Sequence, residues 1–206
     1  MNEGRFITLE GLEGAGKTSR AGELKAFLER RGKRVLLTRE PGGTALGERL
    51  RELLLSPTAE PMAPLTELLL MFAARSEHVI QVILPALAGG QWVLCDRYVD
   101  ASYAYQGGGR GLGEAPVAAL EALLPARARP DLTLLLDLPV EMGLARAKGR
   151  GPVDRFEQET LAFHQRVRDA YLTRARRWPQ RYRIIDASAD PETVRGAIEA
   201  AVEPLL

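Results

Sequence analysis

The feature that most constrains the fold of this chain is a glycine-rich segment near its amino terminus. Gly11-Leu12-Glu13-Gly14-Ala15-Gly16-Lys17-Thr18 matches the pattern G-x-x-x-x-G-K-[ST]. An apolar run at residues 6–9 precedes the segment, and a helical pattern follows it. A strand, a loop of this kind and a helix, in that order, are typical of a phosphate-binding loop.

The side chains of this loop indicate which phosphate ligand it takes. Lys17 is placed to reach the β- and γ-phosphates of a nucleoside triphosphate, and the Thr18 hydroxyl is a ligand for Mg²⁺. A chance glycine loop between a strand and a helix is the alternative. The sequence predicts that a triphosphate with magnesium is bound by Gly11, Leu12, Glu13, Gly14, Ala15, Gly16, Lys17 and Thr18.

Short β-rich runs alternate with longer helical patterns along the whole chain. Strands are predicted at residues 6–9, 34–38, 91–95, 132–136 and 182–185. Helices are predicted at 17–31, 46–55, 65–88, 116–124, 140–148 and 156–177, with a last one capped by Asp190. Such alternation requires crossovers and a parallel sheet. The predicted fold class is α/β, a three-layer α/β/α domain over residues 1–206 with a five-stranded parallel sheet.

Two segments interrupt this alternation. Residues 106–111 contain four glycines and are predicted to form a loop. Residues 148–155 form a charged segment with glycine and proline between two predicted helices. An ordinary connecting loop is the simplest interpretation of both, and their arginines matter only if a phosphate site lies nearby.

Composition excludes several classes of protein. The 206 residues carry 28 basic and 27 acidic side chains, which gives no electrostatic basis for a nucleic-acid or membrane partner. The single cysteine, Cys95, excludes an intrachain disulfide framework. The uncharged apolar runs are too short to span a bilayer, and residues 1–5 lack signal-peptide character. We expect a soluble, cytoplasmic protein with no nucleic-acid or membrane partner.

An acidic and a basic residue follow the apolar run at residues 91–95. Ligands of open parallel sheets bind at the carboxyl ends of the strands, so Asp96 should emerge beside the phosphate loop. There it is placed to hold the magnesium ion together with Thr18, while Arg97 is able to grip a phosphate with two hydrogen bonds. A surface ion pair at the end of a strand is the alternative.

The chain lacks the Asn-Lys-x-Asp tetrad of GTP switches and is short for a mechanical ATPase. A small phosphotransferase fits better, because it needs a second phosphate pocket and arginines to neutralise charge. The arginines that suit this need are Arg39, Arg51, Arg75, Arg97, Arg110, Arg150 and Arg155.

Over nearly its whole length the chain resembles the thymidylate kinases, which phosphorylate dTMP with ATP. Three groups of residues are responsible for the resemblance. The first is the segment at residues 9–18. The second comprises Thr38-Arg39-Glu40-Pro41-Gly42-Gly43-Thr44 and Asp96-Arg97-Tyr98, with Ala104-Tyr105-Gln106-Gly107. The third comprises Arg129-Pro130-Asp131-Leu132-Thr133-Leu134 and Asp154-Arg155-Phe156-Glu157.

The resemblance implies a set of acceptor contacts. Glu40 and Pro41 pack beside the nucleotide, and Arg51, Arg75 and Arg97 meet its phosphate or base. Ser102 and Gln106 hydrogen-bond thymine, and Tyr105 lies near the deoxyribose. Phe156 crowds the 2′ position, and Glu13 approaches the sugar or the metal region. Catalysis is assigned to Lys17, Arg97, Arg150 and Glu13.

At one position the chain departs from the family. The family usually has a thymine-stacking Phe four residues before the arginine matched by Arg75, and here that residue is Met71. Phe72 lies only three residues before Arg75. Either Met71 or Phe72 forms the floor of the pocket, and the other is a core residue.

Three further expectations concern the lid, the assembly and the histidines. A short mobile lid at about residues 146–156 is expected to supply a donor-side catalytic arginine. Arg150 is the first candidate among the basic residues Arg146, Lys148 and Arg150, and Arg155 is a fourth. By resemblance the protein is a homodimer, with the apolar stretch at residues 65–88 as a contact surface. His78 and His164 show no metal-ligand spacing and are expected to be partly buried or at the surface.

The resulting hypothesis is a magnesium-dependent kinase that acts on dTMP. One alternative is a kinase for another nucleotide or a deoxynucleoside. Another is a protein that binds ATP for regulation or scaffolding without turnover.

Overall fold

A computed structural model describes residues 4–57, 62–148 and 154–206. Five parallel strands form one sheet in the order β2-β3-β1-β4-β5. The strands are β1 (Phe6–Glu10), β2 (Val35–Arg39), β3 (Trp92–Asp96), β4 (Leu132–Asp137) and β5 (Tyr182–Asp186). This confirms the predicted fold class, and each strand lies within one residue of its predicted bounds.

Helices connect the strands. They are α1 (Lys17–Arg30), α2 (Ala45–Leu55), α3 (Pro64–His78), α4 (Leu84–Ala88), α5 (Val99–Ser102), α6 (Glu114–Glu121), α7 (Val140–Ala147), α8 (Leu161–Arg177) and α9 (Pro191–Val202). Two π-helical segments, Val79–Ile83 and Tyr103–Gly109, and two 3₁₀ segments, Ala126–Ala128 and Glu203–Leu205, complete the described chain. Asp190 caps α9 by accepting from the N–H groups of Glu192 and Thr193, as predicted.

Both faces of the sheet are covered, because alternate side chains of one strand enter different cores. In β3, Leu94 belongs to a core shared with α1, α8 and α9, whereas Val93 belongs to a core shared with α3 and the π-helical segment that follows it. This is the predicted arrangement of three layers, α/β/α, in the described residues.

The prediction of a loop at residues 106–111 was wrong for most of that segment. Residues up to Gly109 belong to the π-helical segment Tyr103–Gly109, which packs along α8. A Cβ atom on Gly108 would lie 2.7 Å from the Ala170 Cβ, and one on Gly109 would lie 2.6 Å from the Phe163 ring. These glycines therefore permit close helix packing, which glycine content alone does not reveal.

The predicted helix at 156–177 begins later, at Leu161. The Asp154 carboxylate accepts hydrogen bonds from the N–H groups of Phe156 and Glu157 and holds a turn there, and Thr160 then caps α8. Residues 149–153 of the proposed lid, including Arg150, lie outside the described residues.

The helical run Pro64–Ala88 joins α3, a π-helical segment and α4 into 25 residues. By length and composition alone this run is long and apolar enough to cross a membrane, although its uncharged stretches are short. Core helices of soluble proteins meet the same criterion, and the buried side of this one contacts the sheet core.

Candidate active site

A cavity of about 300 Å³ opens at the carboxyl ends of β1, β2 and β3. It brings together residues that are far apart in the chain, from the phosphate loop to α3, α5 and the turn before α8. The predicted site residues that line it are Glu13, Gly14, Gly16, Lys17, Thr18, Glu40, Pro41, Arg51, Met71, Arg75, Asp96, Arg97, Ser102, Tyr105, Gln106 and Phe156. Donor-side and acceptor-side candidates thus share one space.

The phosphate loop is built from backbone packed against backbone. Gly14 has φ +73°, and a Cβ atom there would lie 2.0 Å from the carbonyl oxygen of Gly143 in α7. No larger residue fits this position. Leu12 and Ala15 point into the core instead of lining the cavity, so their expected contribution to phosphate binding is through the backbone.

Lys17 lies inside the loop at the start of α1. Its Nζ donates to the carbonyl oxygens of Leu12, at 2.7 Å, and Gly11, at 3.0 Å. Burial lowers the pKa of Lys17 to about 8, and the neighbouring Arg97 adds to the effect. The amine is therefore held inside the loop by backbone carbonyls, which phosphate oxygens are able to replace as acceptors.

An oxygen pair lies beside the loop. The Thr18 hydroxyl donates to Asp96 Oδ2 at 2.8 Å, and both residues line the cavity. A hydroxyl and a carboxylate are hard oxygen ligands of the kind Mg²⁺ takes beside a nucleotide phosphate, so this donor set fits the predicted ion.

Arg97 connects the loop to the acceptor side of the cavity. It has a left-handed backbone conformation, φ 67°, which turns its side chain back towards the phosphate loop. The guanidinium donates to the Gly11 carbonyl at 3.0 Å and to Glu13 Oε1 at 2.9 Å, and it stacks on the Tyr105 ring. The predicted phosphate-binding arginine is thus positioned before any ligand arrives.

The Glu13 carboxylate contacts Arg97 and two further side chains of the site. Burial opposes its ionisation, but Arg97, His164 and Lys17 hold the pKa of this carboxyl well below its usual range. The Tyr105 hydroxyl donates to Glu13 Oε1 at 2.6 Å. His164 lies 3.5 Å from Oε2 and is fully buried, so the expectation that His164 is partly buried or exposed was wrong.

Arg75 on α3 is fixed by three acceptors. It donates to Glu40 Oε2 at 2.7 Å, to Ser102 Oγ at 3.0 Å and to the Tyr98 carbonyl at 3.0 Å. A guanidinium with this many fixed bonds has one orientation and presents its remaining N–H groups in defined directions. The predicted base-reading arginine is therefore held rigidly.

Behind Arg75 lies His78, which is also fully buried and not partly exposed as expected. His78 Nδ1 is 3.0 Å from Glu40 Oε1, and Nε2 is 2.7 Å from Thr38 Oγ1. Cys95 lies close by, with its sulfur within 4.8 Å of the Glu40 and His78 atoms. Arg75 also bonds to Glu40, and Thr38 bonds to His78, so His78 is connected to the cavity-lining residues through its contact with Glu40.

The structure distinguishes between Met71 and Phe72. Met71 lines the cavity. Phe72 is one residue further along α3 and faces the core beneath the sheet, where its ring packs under the Arg75 guanidinium at 4.5 Å. Phe72 is absent from the described cavity lining, because successive helical side chains point about 100° apart. This favours the alternative in which Met71 forms the floor of the pocket and Phe72 is a core residue.

Sequence reasoning missed Glu67 and Glu10. Glu67 in the first turn of α3 is fully buried and accepts from Gln106 Nε2 at 2.7 Å. Glu10 at the end of β1 accepts from the Tyr98 N–H and the Tyr171 hydroxyl, and burial raises the pKa of Glu10 to about 8. The signal for Glu67 is its spacing: Glu67, Met71, Arg75 and His78 share one face of α3.

The flanks of the proposed lid are already bonded to the body of the protein. Arg146 donates to the Ala187 carbonyl at 2.7 Å. Arg155 donates to the Leu54 carbonyl at 3.0 Å and pairs with Glu67 at 2.7 Å.

Phe156 is buried with its ring 5.6 Å from that of Tyr105, on the acceptor side of the cavity. Arg51 also lies there and donates to the Pro41 carbonyl.

A phosphate loop, an oxygen pair beside it and a second polar pocket in the same cavity define a phosphotransferase of the P-loop nucleotide kinase class. The family model described as Thymidylate kinase matches residues 9–198. A thymidylate kinase of Pseudomonas putida (strain W619) is 60% identical over 201 residues, covering 98% of this chain and 97% of the relative. One from Alkalilimnicola ehrlichii is 58% identical over 203 residues, covering 98% and 94%.

A solved structure of thymidylate kinase from Ehrlichia chaffeensis has 32% sequence identity and a TM-score of 0.79, covering 98% of this chain and 99% of that one. The chain belongs to the thymidylate kinase family. It is accordingly a nucleoside monophosphate kinase, and the resemblance inferred from its motifs is confirmed.

Proposed function

We propose that the protein transfers the γ-phosphoryl group of ATP to dTMP, giving dTDP and ADP. The observation that best supports this is the single cavity that joins the phosphate loop to a pocket formed by Arg75, Ser102 and Gln106. The acceptor oxygen of a nucleoside monophosphate is already ionised near neutral pH, so the transfer needs no strong base. Catalysis then consists of positioning and charge neutralisation.

On the donor side, the backbone of the phosphate loop binds the triphosphate, and Lys17 moves its hydrogen bonds from the Gly11 and Leu12 carbonyls to phosphate oxygens. Thr18 and Asp96 hold Mg²⁺. The bound ion supplies charge neutralisation on the phosphate oxygens. Glu13 keeps Arg97 aligned between the two nucleotides.

On the acceptor side, Arg97 and Arg51 bind the dTMP phosphate, and Tyr105 packs against the deoxyribose. Arg75, Ser102 and Gln106 bind the edge of the base, while Met71 packs on its face. Glu40 and Pro41 support that wall. Phe156 occupies the space that a 2′-hydroxyl needs, which favours the deoxyribonucleotide.

Arg150 supplies the donor-side arginine from a lid at about residues 146–156. Support comes from its neighbours: Arg146 and Arg155 are each bonded to backbone carbonyls of the protein body. An arginine in such a role is worth about 10³- to 10⁵-fold in related phosphoryl transfers. Alanine variants at positions 146, 150 and 155 test this, and we expect the largest fall in kcat for Arg150→Ala.

The protein is a homodimer in this proposal, and it acts in the cytoplasm. The helical run Pro64–Ala88 exposes Leu65, Leu69 and Ile80, each about half exposed, along one stripe. A second copy is a suitable cover for such a stripe. Sedimentation velocity of the wild type and of Leu69→Glu measures this, and a monomeric wild type would contradict it.

The decisive experiment for substrate choice is a panel of nucleoside monophosphates and nucleosides with ATP and Mg²⁺, assayed for each diphosphate product. We expect dTMP to be used best and its ribonucleotide counterpart poorly. Phe156→Ala should reduce the preference for dTMP over its ribonucleotide counterpart by roughly tenfold. Absence of product from dTMP would exclude the proposal, and ATP binding without transfer to any acceptor would favour a scaffold.

A further inference from the structure

Glu67 is a buried carboxylate that touches a residue of the acceptor pocket without lining the cavity itself. It is fully buried in α3, where its carboxylate pairs with Arg110 at 3.1 Å and Arg155 at 2.7 Å. A buried carboxylate needs such partners to remain charged. Its third partner is Gln106, whose Nε2 donates to Glu67 Oε1 at 2.7 Å.

This third contact determines which way the Gln106 amide faces. A carboxylate only accepts hydrogen bonds, so the NH₂ group of the amide must point to Glu67. The amide oxygen accepts no hydrogen bond from the residues in the described ranges, and Gln106 lines the cavity. The group that Gln106 has left to offer a ligand is therefore an acceptor.

Arg75 complements this acceptor with donors. Three of its five N–H groups are used by Glu40, Ser102 and Tyr98, which leaves two, and Arg75 lines the same cavity as Gln106. A donor next to an acceptor matches a pyrimidine that has a carbonyl at C4 and an N–H at position 3. Cytosine has the reverse pattern, an amino group at C4 and an unprotonated N3.

We propose that Glu67 is a specificity-determining positioning residue: by holding Gln106 as an acceptor, it makes the pocket select thymine or uracil and reject cytosine. The inference rests on the proposed use of dTMP as phosphoryl acceptor. A cytosine would place its N3 lone pair against the Gln106 oxygen in a buried site, where two unpaired acceptors are costly.

The test compares dissociation constants of dTMP and dCMP, measured by titration calorimetry, in wild type and Glu67→Gln. A glutamine at position 67 is able to donate to Gln106, so the Gln106 amide is free to turn its NH₂ group towards the cavity. We expect dTMP binding to weaken and dCMP binding to strengthen. The ratio of the dCMP to the dTMP dissociation constant should therefore fall by roughly 10- to 100-fold. A residue with a merely structural role would weaken both ligands together.

Two further variants define the route of the effect. Gln106→Met removes the acceptor, and adding Glu67→Gln to it should change the ratio no further if Glu67 acts through Gln106. Arg110→Met is the matched control, because it removes an ionic partner of Glu67 and leaves the Glu67–Gln106 bond in place. We expect Arg110→Met to keep the wild-type ratio.

The proposal is overturned if folded Glu67→Gln keeps the wild-type ratio of dissociation constants. It is also overturned if Glu67→Gln changes that ratio by the same factor in the Gln106→Met variant as in the wild type. If circular dichroism shows that Glu67→Gln is unfolded, Glu67→Asp makes the same test, since it keeps the negative charge and withdraws it from Gln106 by one methylene. Phosphorylation of dTMP by the wild type is measured alongside. Its absence would refute the proposed function, whereas its presence with an unchanged ratio refutes only the role of Glu67.

Discussion

The donor and acceptor sides of the cavity are built by different means. On the donor side the shape is set by backbone, as at Gly14, where a Cβ atom would lie 2.0 Å from the Gly143 carbonyl oxygen. On the acceptor side it is set by side chains that other side chains hold, as Glu40 holds Arg75 and Glu67 holds Gln106. Phosphate is common to all nucleotides and suits a backbone cradle, whereas a base must be distinguished from other bases by fixed donors and acceptors.

The largest expected effect is on the donor side. Lys17→Ala should lower kcat roughly 10³-fold, because the lysine charge acts on the transferring phosphoryl group, while the dissociation constant for dTMP changes little. Steady-state kinetics and dTMP titration measure the two quantities. Lys25→Ala, at a partly exposed position of α1, is the control. Near-normal turnover of Lys17→Ala would remove the distinction between the two sides.

A smaller effect is expected on the acceptor side. Glu40→Gln should raise KM for dTMP about 10- to 100-fold, because Arg75 loses its charged partner while the neutral amide keeps the size of the side chain. KM for ATP should stay within a factor of about two, since the contacts of Glu40 are to Arg75 and His78. The exposed Glu52 on α2 supplies the control, Glu52→Gln. Parallel losses for both substrates would show that the two sides are not separable.

The smallest effect concerns Glu10, which lies beneath both sides. Burial and the nearby Asp100 raise its pKa to about 8, and Arg97 and Tyr171 oppose this only in part. The folded protein therefore holds a proton that the unfolded chain releases above about pH 4.5. Stability contributed by this proton is complete at low pH and is lost as the pH rises towards 8.

We expect the free energy of unfolding to fall by up to about 1.4 kcal/mol per pH unit in that window from this group. Glu10→Gln should flatten the dependence, since the amide is neutral throughout and keeps an acceptor for the Tyr98 N–H. Urea denaturation at several pH values measures it. Equal slopes of the free energy of unfolding against pH in the wild type and Glu10→Gln would contradict the raised pKa of Glu10. Asp186→Asn, at an exposed position, is the control.

The donor side was largely predictable from sequence because its elements are contiguous. A strand, eight loop residues and a helix adjoin in the chain, so spacing alone placed Lys17 and Thr18. Asp96 was predictable because the carboxyl ends of parallel strands meet at one edge of the sheet. The five strands were predictable for a related reason, since their apolar runs alternate with helices.

The acceptor side was less predictable because its contacts join distant segments. Glu67 and Gln106 are 39 residues apart, and no local pattern pairs them. Glycine content predicted a loop at residues 106–111, whereas the contact of Gly108 and Gly109 with α8 makes most of that segment helical. Resemblance to the family named Arg75, Ser102, Gln106 and also Glu40, which it placed beside the nucleotide. It did not name Glu67, the carboxylate that orients Gln106.

The contact between Gly14 and Gly143 also has a mechanical consequence. The phosphate loop and α7 meet backbone to backbone, so no side chain lies between them to absorb a displacement. α7 ends at Ala147, where the proposed lid begins. We therefore expect that a shift of the phosphate loop on nucleotide binding would displace α7 as well, and with it the residues from which the proposed lid starts. Substitutions that alter this contact must lie at neighbouring positions, because neither glycine has room for a side chain.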